Sequence, residues 1–216
     1  MTLSSGLDAI AGVAHPPVGA PAGAVVLTHG AGGSRDSPLL IRICQRWAEH
    51  GWLALRYNLP YRRRRPTGPP SGSAAADRAA IDEAITLTRS VFTELAGADG
   101  PLLAGGHSYG GRLTSMAVAH GAEATALTLF SYPLHPPGRP ERLRTEHFGS
   151  ITVPTVFTHG SADPFGSIAE LHTAAALIPA PTEIVEVAGA RHDLRSQGPD
   201  VAGRAVDAAL RHSGRR

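Results

Sequence analysis

The chain of 216 residues and 22.4 kDa is long enough to bury a substantial core, and 42% apolar content with a formal charge of +2 fits a globular protein. Its 20 Lys+Arg residues are all arginine and its pI is near 9.1, but it is rich in Ala, Gly and Pro and has no basic and aromatic module of the kind that reads nucleic acid, so no nucleic-acid partner is expected. No apolar run approaches bilayer length, no basic-then-apolar leader opens the chain, and Cys44 is the only cysteine, so the expectation is a soluble cytoplasmic protein with a buried core thiol and no membrane partner.

Residues 1–23, interrupted by Pro16, Pro17 and Pro21, offer at most an edge strand near residues 10–14. Residues 24–28 read as a continuous apolar strand that ends in the glycine-rich turn His29-Gly30-Ala31-Gly32-Gly33. Ser37 and Pro38 open a helix, in which Leu39, Leu40, Ile43, Trp47 and Ala48 recur at helical spacing until Gly51. A strand over residues 52–57 leads into a long Pro- and Arg-rich loop over 58–73, where Arg62, Arg63, Arg64 and Arg65 read as a solvated run.

An amphipathic helix over residues 75–96 carries Ile81, Ile85, Thr88 and Phe92 on one face. A strand at 102–105, a helix at 109–120 and a strand at 126–132 follow. The segment 133–150, rich in proline, arginine and histidine, is the expected cover over a site. A strand at 155–160, a helix at 167–178, a strand at 182–187 and a helix at 199–212 complete the chain. Strands alternating with helices predict an α/β fold of one domain over 1–216, with a mostly parallel sheet of about six or seven strands, helices on both faces and a minimal cap. The triplets Thr28-His29-Gly30 and Thr158-His159-Gly160 read as similar strand ends rather than a repeat.

In such a sheet the residues after each strand converge at its carboxyl edge. Gly106-His107-Ser108-Tyr109-Gly110 fits the Gly-x-Ser-x-Gly elbow, where a serine sits in a strained strand-to-helix turn that only glycines can flank without clash. A serine hydroxyl needs a base to become a useful nucleophile, and imidazole suits that task. His192 is the expected base and Asp163 the expected acid that fixes its tautomer; Asp193 is the rival acid, disfavoured because neighbouring residues rarely present side chains to each other. The order Ser, Asp, His along the chain suits an α/β-hydrolase. The oxyanion of a tetrahedral intermediate would take backbone N–H donors from Tyr109 and Ala31, each worth roughly 3 kcal/mol of barrier.

His29, His107, His135 and His159 are candidate substrate-lining residues. His29, His107, His159 and His192 also fall at predicted strand ends, but no His-x-x-x-His or Cys pair gives ligand spacing, so neither metal nor cofactor is expected. Arg112, one helical turn after Ser108, would either pair with an acid to anchor the elbow or lie on the helix surface. His135, Arg139, Arg142, Arg144 and His147 would either recognise an anionic substrate or solvate the covering segment.

The turn at residues 29–33, the elbow around Gly106, Asp163 and His192 together resemble a small α/β-hydrolase related to the dienelactone-hydrolase group. A closer resemblance is to the α/β-hydrolase-like domain shared by a testis-expressed protein and a subunit of the non-specific-lethal histone acetyltransferase complex. It rests on residues 27–33, 105–112, 131–138, 163–166 and 189–194, of which Ser131-Tyr132-Pro133-Leu134-His135-Pro136-Pro137-Gly138 is the most specific. The resemblance implies a serine-hydrolase scaffold with Ser108, Asp163 and His192 in the triad positions and supplies no substrate; with a minimal cap the expected activity is that of an esterase on a small acyl substrate. Two departures stand out: serine replaces the cysteine of the dienelactone group, and His107 replaces an arginine of the closer relatives. The alternative reading is a silent hydrolase-shaped scaffold, since some members of the lineage act within assemblies; retention of all three triad candidates favours catalysis.

Overall fold

The computed structural model describes residues 7–71, 74–195 and 200–214. The parts of the sequence reading that concern residues 1–6, 72–73 and 196–199, including the expected start of the last helix at Pro199, lie outside them. In chain order the elements are β1 (Gly12–His15), β2 (Ala24–Thr28), α1 (Pro38–Glu49), β3 (Leu53–Tyr57), α2 (Pro60–Arg64), α3 (Ala74–Ala96) and β4 (Leu102–His107). Then come α4 (Tyr109–Ala119), β5 (Ala126–Phe130), a 3-10 turn (Phe148–Ser150), β6 (Thr155–Gly160), α5 (Ile168–Ala175), β7 (Thr182–Val187) and α6 (Val201–Arg211).

The seven strands form one sheet in the order β1-β3-β2-β4-β5-β6-β7, antiparallel only at the β1 edge. This is the α/β-hydrolase fold class anticipated from the alternation of strands and helices. Chain connections leave β2 toward β3 on one side and continue from β4 toward β7 on the other. The crevice between the carboxyl ends of β2 and β4 is therefore the topological switch point, where open parallel sheets hold their ligands.

Strand periodicity divides the core in two. Val26, Leu55 and Ala104 face a layer built by Ile81, Ile85 and Phe92 of α3 and Leu113 of α4. Their neighbours Val25, Leu27, Ala54 and Leu103 face Leu40, Ile43 and Trp47 of α1 and Ala205, Val206 and Ala209 of α6. Because side chains alternate across a strand, a run that is buried throughout, such as β2, needs cover on both faces. Cys44 lies fully buried in the α1 layer, and burial pushes its thiol up to about 12, so it stays protonated and inert.

The arginine-rich segment departs from the solvated loop that its composition predicts. Pro60 takes the first position of α2, where a missing N–H costs nothing, and the turn buries Tyr61 and Arg62. Arg63, Arg64 and Arg65 are exposed.

Trp47 and Trp52 pack at 4.8 Å between ring centroids with their planes tilted by 50°, both fully buried, and Trp47 Nε1 has no hydrogen-bond partner among the described residues. Trp47→Ala is expected to lower unfolding free energy by about 3–5 kcal/mol in urea titrations. Trp47→Phe should lose clearly less, because no bond to the indole nitrogen is broken.

Candidate active site

The site begins with a steric conflict that the sequence resolves with glycine. The end of β2 runs beside the turn from β4 to α4, with Thr28 in register with Gly106. A Cβ on Gly106 would lie 2.5 Å from the Thr28 carbonyl oxygen, and one on Gly110 would lie 2.5 Å from that of His29. Between these glycines Ser108 adopts φ +50° and ψ −117°, a strained backbone for a residue with a side chain. Such outliers cluster at functional sites because the surroundings must hold them in place.

Ser108 Oγ donates to His192 Nε2 at 2.7 Å, and His192 Nδ1–H donates to Asp163 at 2.8 Å from Oδ2 and 3.0 Å from Oδ1. The Asp163 side chain is fully buried and also accepts the Phe165 N–H at 2.9 Å. Burial works to raise its carboxyl, but the hydrogen bonds from His192 and Phe165 outweigh it and hold the group below the usual carboxylate value. Asp193 instead accepts from the Arg195 backbone and pairs with its side chain in solvent. The His192 ring lies against Phe165 at 4.2 Å. His107 donates its Nε2–H to the His192 carbonyl at 2.8 Å, pinning the loop that carries the imidazole. Burial lowers the His107 pKa, which favours the neutral ring that this single donation needs.

The glycine-rich turn is held from behind. The Gly30 carbonyl accepts from His29 Nδ1–H at 2.9 Å and from Tyr61 OH at 3.3 Å; the Ala31 carbonyl accepts from Tyr61 OH at 2.9 Å. In a trans peptide the N–H points away from the carbonyl, so fastening the Gly30 oxygen to α2 turns the Ala31 N–H to the other side. Arg62 completes the clamp, giving Nε–H to Gly33 O at 2.7 Å and Nη2–H to Ala31 O at 3.1 Å and Gly68 O at 2.8 Å. The Tyr109 N–H belongs to the first turn of α4, where helix amides have no intrahelical acceptor. Both Ala31 and Tyr109 line a cavity of about 640 Å³ that also reaches Ser108 and His192. Tyr61 and Arg62 are the supporting residues that sequence reasoning missed. The one available signal was Pro60, which sets a helix start just before them.

Of the four histidines expected to line the site, His107 alone borders this cavity. His29 is buried, bonded to Gly30 and accepting the Leu59 N–H, and burial holds its pKa at about 4. His159 gives Nε2–H to the Gly166 carbonyl at 2.8 Å inside the core. His135 gives Nδ1–H to its neighbour Pro136 and turns Nε2 toward Glu170 at 3.6 Å. His29 and His159, buried at their strand ends, satisfy turn backbones. Among the described residues no group of three or more His, Cys, Asp or Glu is placed to hold a metal ion, and no helix is long and apolar enough to cross a membrane.

The covering segment contributes Pro133 and Arg144 to the cavity wall and little else. It folds on itself: Tyr132 OH donates to Arg144 O at 2.6 Å, and the Arg144 N–H to Leu134 O at 2.9 Å. His147 gives Nε2–H to Ser115 Oγ at 2.8 Å, fastening the segment to α4. Among the described residues Arg112 pairs with no acid, and it does not lie on an open helix surface; it is partly buried and borders the cavity.

Residues 21–212 match the family described as an alpha/beta hydrolase domain. Among solved structures, the dienelactone hydrolase of Anabaena variabilis is 22% identical, with 92% of this chain and 88% of that one covered and a TM-score of 0.70. The esterase Est2 of Thermogutta terrifontis is 20% identical over 93% and 85% of the two chains, with a TM-score of 0.69. Est1E from Butyrivibrio proteoclasticus is 14% identical over 93% of each, with a TM-score of 0.70. At these identities the likeness is one of fold.

Arg62→Ala leaves the Gly33 and Gly68 carbonyls without this donor and the Ala31 carbonyl with Tyr61 OH alone, and is expected to cost about 3 kcal/mol in thermal or urea unfolding. Arg62→Lys should recover little of it, because a single ammonium cannot reproduce the fork. Asp163 has a folded pKa below its unfolded one, so its contribution is fully present above the unfolded value and is lost as pH falls through the folded one. Native protein should therefore lose more stability than Asp163→Asn between neutral pH and the bottom of the carboxylate range, measured as unfolding midpoints.

Proposed function

The chain belongs to the alpha/beta hydrolase domain family, and from that membership we propose that it is a serine hydrolase acting as an esterase on small acyl substrates. The observation that carries this reading is the unbroken hydrogen-bonded line from Ser108 Oγ through His192 to Asp163. In the proposed reaction, Ser108 Oγ attacks the acyl carbonyl while His192 Nε2 takes its proton. Asp163, held ionised by its hydrogen bonds, keeps the imidazole in the required tautomer and stabilises the imidazolium that forms. The negative charge that develops on the carbonyl oxygen is received by the N–H groups of Ala31 and Tyr109. His192 then gives its proton to the departing alkoxide, leaving an acyl-Ser108 ester. Water, activated by the same imidazole, releases the acid and restores the serine.

Pro133 and Arg144 are the contribution of the covering segment to the cavity wall, and among the described residues no domain-sized insertion roofs it. The site is accordingly read as open and shallow, favouring short acyl chains. In a series of nitrophenyl esters, kcat/KM is expected to be highest for short chains; a preference for long chains would overturn the acyl-size reading.

The decisive test is labelling with a fluorophosphonate probe, which reports an activated serine regardless of substrate. Native protein should label, and Ser108→Ala and His192→Ala should not. Failure of correctly folded native protein to label would overturn the hydrolase reading. Asp163→Asn should lower kcat by about four orders of magnitude, the loss expected when the imidazole is left in the wrong tautomer.

A further inference from the structure

The cavity beside Ser108 holds more positive charge than acyl transfer uses. Arg112 stands on α4 one turn beyond Ser108, and Arg144 enters from the covering segment; both border the cavity. Arg112 follows Ser108 by one helical turn, a rise of about 5.4 Å, with its N–H donating to the Ser108 carbonyl at 2.9 Å, and both residues line the same cavity. Its Nε is buried and has no hydrogen-bond partner among the described residues, and neither guanidinium forms a salt bridge there. Glu146, the acid nearest Arg144 in sequence, is exposed and bridges to neither. Asp163 is taken up by His192, and Asp77 accepts from Tyr109 OH at 3.0 Å.

The two like charges press on their surroundings. Burial and the Arg112 charge both lower the Arg144 pKa, and burial with Arg112 holds His147 at about 4. A buried donor without an acceptor is uncommon and costly, and here it lies at a cleft open to solvent. Arg144 commits one Nη1–H to the Pro133 carbonyl at 3.3 Å, whereas the Arg112 guanidinium donates to none of the described residues. A planar fork with two parallel donors matches the two oxygens of a carboxylate.

We propose that this cavity takes esters whose acyl chain ends in a carboxylate, with Arg112 binding that carboxylate and Arg144 adding charge from the facing wall. The assignment rests on the reading of Ser108 as nucleophile. The spacing along α4 suits a dicarboxylic half-ester of about four to six acyl carbons, the reacting carbonyl at Ser108 and the far carboxylate at Arg112.

The test compares hydrolysis of monoethyl glutarate with that of ethyl glutaramate, its neutral carboxamide counterpart, through released ethanol. Native protein should favour the anionic ester by about tenfold or more in kcat/KM, as a charge-assisted pair requires, and the preference should shrink with added salt. In Arg112→Gln the ratio of the two kcat/KM values should fall to near one, and in Arg112→Lys it should lie between. Circular dichroism establishes that each variant is folded; if Arg112→Gln is not, the ratios in Arg112→Lys and Arg144→Gln decide. A native ratio of one or below, or a ratio unmoved by substitution of Arg112, overturns the proposal.

Calorimetric titration of Ser108→Ala with monoethyl glutarate, with and without Arg112→Gln, separates this proposal from the one on which it rests. Native protein that labels with fluorophosphonate but shows no Arg112-dependent preference loses the subsite and keeps the hydrolase. Native protein that fails to label, while Ser108→Ala binds the half-ester through Arg112, loses the hydrolase and keeps the subsite. Absence of both overturns both.

Discussion

The backbone of β2 presses so closely on the turn between β4 and α4 that no side chain fits at Gly106 or Gly110. That contact is fixed by strand pairing, with Thr28 opposite Gly106, and it has two effects at once. It confines Ser108 to a positive φ that lifts the serine at the sheet edge, and it brings the glycine-rich turn after β2 alongside it. A strained backbone persists only where its surroundings over-determine it. Here the surroundings are two strands buried on both faces, the stiffest part of a sheet.

Around this contact, polar groups are arranged by backbone need as much as by chemistry. In the half-buried turn at residues 30–33, α2 supplies Tyr61 and Arg62 to meet the Ala31 and Gly33 carbonyls. The same fastening turns the Ala31 N–H to the side of the peptide away from α2. His29 and His159, the equivalent histidines of the two Thr-His-Gly strand ends, each close their own turn through one N–H. Burial lowers the pKa of both, so they act as neutral hydrogen-bond donors.

The line of Ser108, His192 and Asp163 is assembled from the ends of β4, β7 and β6, three parallel strands whose carboxyl ends lie along one edge. His107 ties the turn after β4 to the loop after β7 by bonding the His192 carbonyl. Relative placement of the three side chains thus depends on sheet register more than on any one loop. The covering segment is secured internally and to α4, so it shapes one wall without roofing the site.

Much of this was legible in the chain because the signals are local. Apolar runs and helical spacing mark the strands and helices, and Gly-x-Ser-x-Gly states its own steric requirement within five residues. The strand order and the antiparallel edge followed only once the sheet formed. Composition marked residues 62–65 as solvated, yet Arg62 is buried, because its acceptors, the Ala31 and Gly33 carbonyls, lie 31 and 29 residues away in sequence. Four histidines placed at turns were alike as candidates, and tertiary packing set His107 in the cavity wall and bonded the others to backbone. Whether Arg112 meets an acid, water or a cavity was likewise decided by what the covering segment brings opposite it. Local sequence determines backbone geometry, since steric and periodic demands act between near neighbours. The environment of a charged side chain is a long-range property, decided by whichever distant carbonyls and charges the fold carries to it.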